Sequence, residues 1–326
     1  MKKRKKKLKR SILEFLDKNS TPHKNIPENK AKENDSVNVL IYIFGKLLDD
    51  IYFYRGKLLT GGDDEDLHQF RIACRRSVVL MGEFNLLYEE ESFLAHRRGL
   101  KNLINISNTK RDMDVLKIEL SKIDGETHYQ DALDALKEYV ENILQREHDL
   151  ITDYLESETC TNVLMVWKNY IVDMNRTNIS IYGRYPMEPL SKYVIFQRFL
   201  KIKKRIKKLD PEHDASETLH KLRIEYKKMR YLLETFRYLY KKKEIKKLLK
   251  EMKKLQDVLG YFHDSHQQKI IFESLLGTEE DENIRSFINE ILLSDLKTYQ
   301  KKKILKIRKK LKVFLTKEEA YRKLFA

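Results

Sequence analysis

The residues best suited to chemistry in this sequence are histidines, arginines and lysines that recur with the same spacing in two stretches. One stretch reads Leu67-His-Gln-Phe-Arg-Ile-Ala-Cys-Arg-Arg76 and the other reads Leu219-His-Lys-Leu-Arg-Ile-Glu-Tyr-Lys-Lys228. In each, an arginine follows the histidine by three positions, and a further cation comes four positions later. Arginine donates forked hydrogen bonds to anionic oxygens, and lysine supplies a point charge. The spacing therefore indicates a binding surface for an anion.

The two stretches belong to a longer internal repeat. They lie 152 positions apart, and without any gap the same offset aligns Phe84 with Phe236 and Asp112 with Asp264. So many matches in one register indicate that a whole structural unit has been duplicated.

Helical periodicity separates the cations of each repeat from its apolar residues. At about 100° per residue, the second repeat forms a cationic ridge, and its leucines lie mostly on other faces. The members of this ridge are His220, Arg223, Lys227 and Arg230. The first repeat places His68, Arg71 and Arg75 in the same way, but Val78 stands at the last position. A solvated basic face is the alternative interpretation, and the occurrence of the ridge in both repeats argues against it.

The duplicated pattern His-x-x-Arg-Ile-x-x-(Arg/Lys)-(Arg/Lys) resembles the CHAD family, the conserved histidine alpha-helical domains. In each half an aspartate-containing segment follows, Lys110-Arg-Asp-Met-Asp-Val115 and Leu259-Gly-Tyr-Phe-His-Asp264. The resemblance covers about residues 36–326. It implies an all-α fold of two pseudo-symmetric helical bundles, basic ridges facing a central groove or pore, and binding of inorganic polyphosphate. The family usually has arginine where Val78 stands, so the first half is expected to hold phosphate less tightly.

The predicted polyphosphate ligands are the cations of both repeats and of two neighbouring basic helices. They are His68, Arg71, Arg75, Arg76, Arg97, Lys101, Arg198, Lys201, Arg205, His220, Arg223, Lys227, Lys228 and Arg230. For the two histidines, core packing and helix capping are alternatives, and their matching positions favour contact with phosphate or support of the ridge.

The aspartates allow two interpretations. Asp112 and Asp114 beside Arg111 could ligate Mg²⁺. The second copy keeps only Asp264, however, and has His266 in the place of Asp114. A single carboxylate next to a cationic ridge is better suited to orienting arginine or histidine side chains. Asp112 and Asp264 are therefore predicted to orient the ridge, and no metal or cofactor is predicted.

Composition limits the fold and the type of partner. Ten glycines and five prolines in 326 residues are few, which favours an all-α fold. The formal charge of +16 indicates a polyanionic partner, either nucleic acid, an acidic membrane surface or a phosphate polymer. Two cysteines provide no disulfide framework, and no apolar run is long enough to span a membrane. These features predict a cytoplasmic protein with reduced cysteines, and polyphosphate binding would associate it with polyphosphate granules.

Turn residues and charge runs predict the boundaries of the chain's parts. Residues 1–35 are predicted to be a basic, disordered tail without a core-forming pattern, and 36–175 form the first helical half. A segment with glycine and two prolines makes 176–190 a linker, and 191–326 form the second half. The acids of Thr60-Gly-Gly-Asp-Asp-Glu-Asp66 are expected to cap the first motif helix.

The predicted function is non-enzymatic binding of inorganic polyphosphate, and two alternatives remain. No phosphate-binding loop, metalloprotease helix or nucleophile elbow occurs in the sequence. A nucleic-acid binder would fit the charge and the basic N-terminus, but the ridges lack regular aromatic residues for stacking, since Tyr226 lies off the ridge and Tyr231 only borders it. An enzyme of phosphate-polymer metabolism would need a metal on Asp112, Asp114 and Asp264. The sequence identifies no protein partner.

Overall fold

A computed structural model of the chain describes residues 12–18, 35–87, 92–123, 129–174, 181–209 and 216–325. The regular structure in these ranges is helical, apart from one isolated β-bridge between Asp35 and Pro186. The predicted all-α fold class is confirmed.

The helices follow one another with short connections. Residues 12–18 form α1, and the other helices before residue 180 are α2 (Ser36–Leu59), α3 (Asp64–Glu83), α4 (Ser92–Asn105), α5 (Asn108–Leu120), α6 (Gln130–Glu156) and α7 (Glu158–Asp173). After residue 180 come α8 (Met187–Ile206), α9 (Ser216–Thr235), α10 (Lys242–Leu276), α11 (Glu282–Ser286), a π-helical segment (Phe287–Leu293), α12 (Ser294–Leu315) and α13 (Glu318–Phe325). Single 3-10 turns occupy Asn85–Leu87, Ile181–Arg184 and Arg237–Leu239.

The helix boundaries follow the repeat found in the sequence. The two motif helices, α3 and α9, begin 152 residues apart and end 152 residues apart, and α6 and α11 begin at the same offset. One difference separates the halves, because α4 and α5 are two helices whereas the corresponding stretch of α10 is continuous. A pseudo-twofold relation between the halves stays a prediction.

The main apolar core draws on both halves. Its largest fully buried side chains include Phe44 and Trp167 from the first half and Phe199 and Phe236 from the second. A second, smaller cluster joins α5 and α6 to the end of α10 and to the π-helical segment. Because the main core is shared, the packing of each half depends on the other.

The predicted apolar side of the motif helices is correct. The leucines that the periodicity separated from the second ridge are all buried, namely Leu219, Leu222, Leu232 and Leu233. Cys74 and Cys160 are buried and free, as the cysteine count predicted. The cations of each motif helix therefore lie on the side that does not pack into the apolar core.

The acidic loop before α3 ends one helix and caps the next, as predicted. Gly61 adopts a φ of 92°, a conformation that favours glycine, just after the end of α2. Asp63 then caps α3 by accepting from the Asp66 backbone N–H at 2.9 Å, and the Asp66 carboxylate accepts from the Asp63 N–H at 3.3 Å. The Lys57 ammonium holds Asp66 at 2.8 Å. The start of the first motif helix is therefore well defined.

The segment between the halves is more ordered than the sequence predicted. The described part of the predicted linker, residues 181–190, contains a 3-10 turn and the first turn of α8. The Tyr185 carbonyl accepts from both the Ser36 N–H, at 2.9 Å, and the Ser36 hydroxyl, at 2.6 Å. Met187 begins α8, four residues before the predicted start of the second half at 191, and the division into halves stays a prediction. Residues 176–180 lie outside the described part.

The predicted tail also contains a packed element. In α1, the side chains of Ile12 and Leu16 are 3% and 0% exposed and belong to the main core. The Tyr185 hydroxyl donates to Asp17 at 2.8 Å. The expectation that residues 1–35 contribute nothing to the core is wrong for 12–18, because two apolar residues four positions apart suffice for one buried contact. Residues 1–11 and 19–34 lie outside the described part of the chain.

None of the described helices combines the length and the hydropathy that a membrane-spanning segment requires.

We predict that Leu16→Ala lowers the free energy of unfolding by about 2–4 kcal/mol, because it leaves a cavity in the shared core. Urea denaturation of the full chain measures the change. The neighbouring exposed residue provides the control, and Lys18→Ala should leave the midpoint nearly unchanged. Equal midpoints for both variants would show that α1 does not pack on the core in solution.

Candidate functional site

Cations from three helices meet where the two halves of the chain touch. α3 packs against α9, and α5 packs against α10. We use the name central cluster for the five cations that converge there, which are Arg71, Arg75, Arg111, Arg223 and Lys227. Their proximity shows in their electrostatics: Arg75 lowers the pKa of Arg71, Arg223 and Lys227, and Arg111 lowers the pKa of Arg71.

Arg71 is engaged by the protein itself. Its guanidinium is buried and donates to the Ile104 carbonyl at 2.8 Å, to the Ser107 hydroxyl and to the Asn108 side-chain oxygen at 2.9 Å. These acceptors lie at the junction of α4 and α5. Burial and the neighbouring arginines lower the pKa of Arg71 to about 10, so it stays charged at neutral pH. Arg71 therefore stabilises the junction between the two helices.

The other cations of the cluster on α3 and α9 lack such partners. Within the described ranges, Arg75 and Lys227 have no carboxylate within 4 Å. Arg223 reaches only Asp264, at 3.9 Å, and its buried Nε has no hydrogen-bond partner. Burial, followed by the charges of Arg223 and Arg75, lowers the pKa of Lys227 to about 6. The charged form of Lys227 is therefore disfavoured by its surroundings.

The two predicted ridge-orienting aspartates lie beside the cluster, on α5 and α10. Burial raises the pKa of Asp112 and of Asp264, and nearby charged side chains also shift both pKa values. Asp112 accepts a hydrogen bond from Gln267 and has its pKa further raised by Asp264, whereas Arg223 acts to lower the pKa of Asp264.

Asp114 has a different environment from Asp112. The Lys110 ammonium lies 3.2 Å from the Asp114 carboxylate and 2.5 Å from that of Asp64, so it links α5 to the first turn of α3. Among the described residues, no three histidines, cysteines or acids are grouped as metal ligands.

The predicted histidines lie at the ends of the ridges. His220 and His263 approach each other through their Nδ1 atoms at 3.2 Å, so one of these nitrogens donates and the other accepts. Burial and the nearby cations lower the pKa of His263 to about 3, and they also lower the pKa of His220. The pKa of His68 is lowered by burial and by Arg111, Arg75 and Arg71. The three rings are therefore neutral hydrogen-bonding groups at pH 7.

Five more of the predicted ligands form a second group, which we call the flanking cluster. Its members are Arg97, Arg198, Lys201, Arg205 and Lys228. Two carboxylates, Glu83 and Glu225, lie among them. Arg198 is buried and donates to both carboxylates, and Glu225 also lies 3.1 Å from Lys201 and 3.4 Å from Arg205. Burial and neighbouring cations lower the pKa of Lys201 to about 8. The sequence placed Glu225 off the ridge, and the structure shows that it pairs with three cations of α8.

The remaining predicted ligands are separate from both clusters. Arg76 and Arg230 both bind Glu234, at 2.9 and 2.6 Å, which joins α3 to α9. Lys101 is exposed on α4.

Position 78 carries valine where the second repeat has Arg230, and a cation from another helix lies beside it. The Arg97 Nε donates to the Val78 carbonyl at 3.1 Å. Its guanidinium approaches Gly82, one turn further along α3. The glycine leaves room there, because a Cβ at position 82 would lie 3.2 Å from the Arg97 Nε.

Two side chains at the central cluster were not among the predicted ligands. Arg111 and His263 are equivalent positions in the two repeats, each directly before the aspartate of its half. The offset of 152 was therefore a signal for both. The equivalence was missed because the two residues differ in type, arginine in the first repeat and histidine in the second.

Comparison with known proteins shows the family of this chain. The family model described as the CHAD domain matches residues 43–272, well over half of the chain. This chain belongs to the CHAD domain family. That family is linked to polyphosphate, and its domains are generally binding domains. The family predicted from the duplicated histidine motif is thereby confirmed.

Two solved structures share the fold of this CHAD domain. The CHAD domain from the plant Ricinus communis has 22% sequence identity and a TM-score of 0.72, and the match covers 85% of this chain and 92% of the plant chain. PptA from Streptomyces chartreusis has 12% identity and a TM-score of 0.63, with 85% and 99% covered. No curated protein matches the sequence.

We predict that Lys227→Met stabilises the fold, and does so more at pH 7 than at pH 9. The folded pKa of about 6 lies below the usual lysine value of about 10.4, so between these values the unfolded chain binds one proton more. Stability therefore rises with pH through this window, by at most about 1.4 kcal/mol per pH unit from this group. Methionine has no titrating group, so the variant lacks this contribution to the slope of unfolding free energy against pH.

Urea denaturation at several pH values measures the difference between the variant and the wild type. Lys250→Met on the exposed side of α10 is the matched control and should change neither the midpoint nor its pH dependence. Parallel pH profiles for wild type and Lys227→Met would contradict the prediction.

Proposed function

We propose that this CHAD domain binds inorganic polyphosphate without chemical turnover, and that the central cluster is the main contact site. One observation carries the proposal: five basic side chains converge there, and among the described residues the carboxylates beside them are Asp112 and Asp264. The most perturbed of the five is Lys227, with a pKa of about 6. Such a concentration of charge is unfavourable in the free protein. A polyanion relieves it.

The chemistry of the cluster suits a phosphate chain. Fixed cations displace the counterions that surround a polyanion, and this release makes binding favourable and dependent on salt. Arg75, Arg111 and Arg223 supply planar donors for phosphate oxygens, and Lys227 supplies a point charge. The neutral His68, His220 and His263 rings add hydrogen-bonding groups at the edge.

The flanking cluster is proposed as a second contact zone. Glu83 and Glu225 offset only two of its five cations. Arg198 is buried between them, which supports a structural role for this residue in the zone. The half-buried Lys228 and the more exposed Lys201 are better placed to reach a ligand. A long chain that contacted both clusters would gain over a short one.

The two repeats are proposed to contribute unequally. In the first, Arg71 is occupied by the α4–α5 junction, and Val78 provides no charge. In the second, α10 is continuous, so Arg223 has no such junction to hold and faces the cluster with only a distant carboxylate. The unequal engagement of the two arginines supports the larger role of the second repeat that Val78 suggested.

A nucleic-acid ligand is less well supported. Base stacking needs exposed aromatic faces, and the tyrosines on α9 next to the cations, Tyr226 and Tyr231, are 0% and 7% exposed. For an enzyme, Asp114 would have to join Asp112 and Asp264, but it is engaged by Lys110. Polyphosphate binding of the proposed kind would associate the protein with polyphosphate granules in the cytoplasm.

We predict that Arg223→Ala combined with Lys227→Ala weakens polyphosphate binding by at least about tenfold, since each charge-assisted contact contributes about 1.5–3 kcal/mol. The slope of log K against log salt should fall by roughly 0.7–0.9 for each lost contact. Titrations with polyphosphate of defined length, in parallel with single-stranded DNA of matched charge, measure both quantities.

The matched control is Lys242→Ala combined with Lys246→Ala, which removes the same charge from an exposed part of α10. It should change affinity and slope much less. Equal losses in both double variants would mean that net charge alone drives binding. Tighter binding of DNA would favour the nucleic-acid function, and phosphate release with Mg²⁺ would favour an enzyme.

We also predict that affinity rises as pH falls from 9 towards 6. A bound phosphate raises the pKa of Lys227 above its free value of about 6, so binding takes up a proton in this window. Lys227→Arg stays charged throughout and should show a shallower pH profile. Isothermal titration in two buffers of different ionisation enthalpy counts the protons, and identical counts for the two proteins would refute this role of Lys227.

A further inference from the structure

A cleft of about 770 Å³ lies between α5, α10 and α12, directly beside the central cluster. Arg111 is a member of the central cluster, Asp264 lies beside it, and both line the cleft. One ligand could therefore occupy both, with one part in the cleft and the other part on the central cluster.

The charge of the cleft differs from that of the cluster. Its lining contains three cations and three carboxylates, which are Arg111, Lys122, Lys302, Glu119, Asp264 and Asp295. These lining charges balance, and the Lys303 ammonium beside the two tyrosine rings adds one cation, so the cleft carries less net charge than the central cluster. A phosphate chain gains little by entering such a cleft, so a group that fills it should be uncharged.

The remaining lining is suited to an aromatic, hydroxylated group. Tyr261 is 57% exposed and Tyr299 lies across from it on α12. The Lys303 ammonium lies 5.6 Å from the centre of the Tyr261 ring and 4.6 Å from that of Tyr299, so both rings lie against the same cation. Ile118 adds an apolar surface, and the buried Gln268 carries amide groups that can pair with polar edges.

The spacing along α10 connects the two parts. Tyr261 precedes Asp264 by three residues, so their side chains are neighbours on one helical face. Asp264 is in turn 3.9 Å from Arg223. One helical turn thus separates an exposed aromatic ring from the phosphate-directed cations. Carboxylates at this boundary repel phosphate and accept hydrogen bonds from sugar hydroxyls.

We propose that this cleft holds the nucleoside of a nucleoside polyphosphate, with the base against Tyr261 and Tyr299 and the phosphates on the central cluster. The inference rests on the proposed phosphate-binding function and adds a ligand class to it. Only the second repeat offers such a site, because the positions equivalent to Tyr261 and Tyr299 are Thr109 and Glu147. One nucleotide should therefore bind per chain.

The test compares ATP with inorganic tripolyphosphate by isothermal titration without Mg²⁺. Both ligands have three phosphates, and tripolyphosphate carries no less negative charge, so tighter ATP binding reports the nucleoside. We expect ATP to bind roughly tenfold tighter or more, the size of a single stacking contact, with one site per chain. Tyr261→Ala should remove this advantage and leave tripolyphosphate affinity unchanged, and Tyr261→Phe should retain it.

Tyr238→Ala is the matched control, because this tyrosine is also exposed and lies outside the cleft. It should leave both affinities unchanged. Equal binding of ATP and tripolyphosphate, or equal effects of Tyr261→Ala on both, would overturn the nucleoside site while leaving the phosphate site intact. Failure of ATP to bind would overturn the nucleoside site, and failure of long-chain polyphosphate titrated in parallel would overturn the proposed function as well.

Discussion

The packing of two cation-bearing helices against each other is the constraint on which the rest of the structure depends. α3 and α9 meet through faces that carry like charges, and like charges in a partly desolvated interface repel strongly. Three glutamates offset part of this repulsion by pairing with arginines. Glu234 bridges Arg76 and Arg230 across the interface, while Glu225 and Glu83 hold Arg198 between α3, α8 and α9.

The cations that remain without such partners define the site. Arg75 and Lys227 have no carboxylate within 4 Å among the described residues, and the depressed pKa of Lys227 shows what this costs the free protein. A stretch that lowers stability is expected where function, not folding, selects the residues. The arginines that pair with glutamates therefore have a structural role, and the cations without a carboxylate partner are among those proposed to bind a ligand.

The two motif helices are similar in sequence, but their equivalent arginines have different partners. Arg71 and Arg223 are equivalent in sequence, yet Arg71 holds the junction of α4 and α5, and Arg223 faces the cluster. The difference follows from the helices that each one meets, because the second half has a continuous α10 and therefore no exposed carbonyl at that point. Similarly, Thr109 and Tyr261 occupy equivalent positions, and only the tyrosine lies in a cleft that could use an aromatic ring.

By itself, the sequence determined the fold class, the family and the helices that carry the site. These follow from local information: the 3.6-residue period sorted the buried Leu219 and Leu222 from the ridge, and Asp63 and Asp66 marked the start of α3. The 152-residue offset located both motif helices without any structure. The sequence did not reveal that Ile12 and Leu16 join the core, because two apolar residues in a polar stretch are too few to predict a buried helix.

Only the tertiary structure decided which cation has which partner. Arg71, Arg198 and Lys227 look alike in sequence, since each lies on a basic helical face. They differ because Arg71 meets the Ile104 carbonyl, Arg198 meets two glutamates distant in sequence, and Lys227 meets other cations. The cleft beside Tyr261 likewise requires three helices from different parts of the chain. Charge partners and cavities are formed by contacts between residues far apart in the chain, and periodicity along one helix contains no information about them.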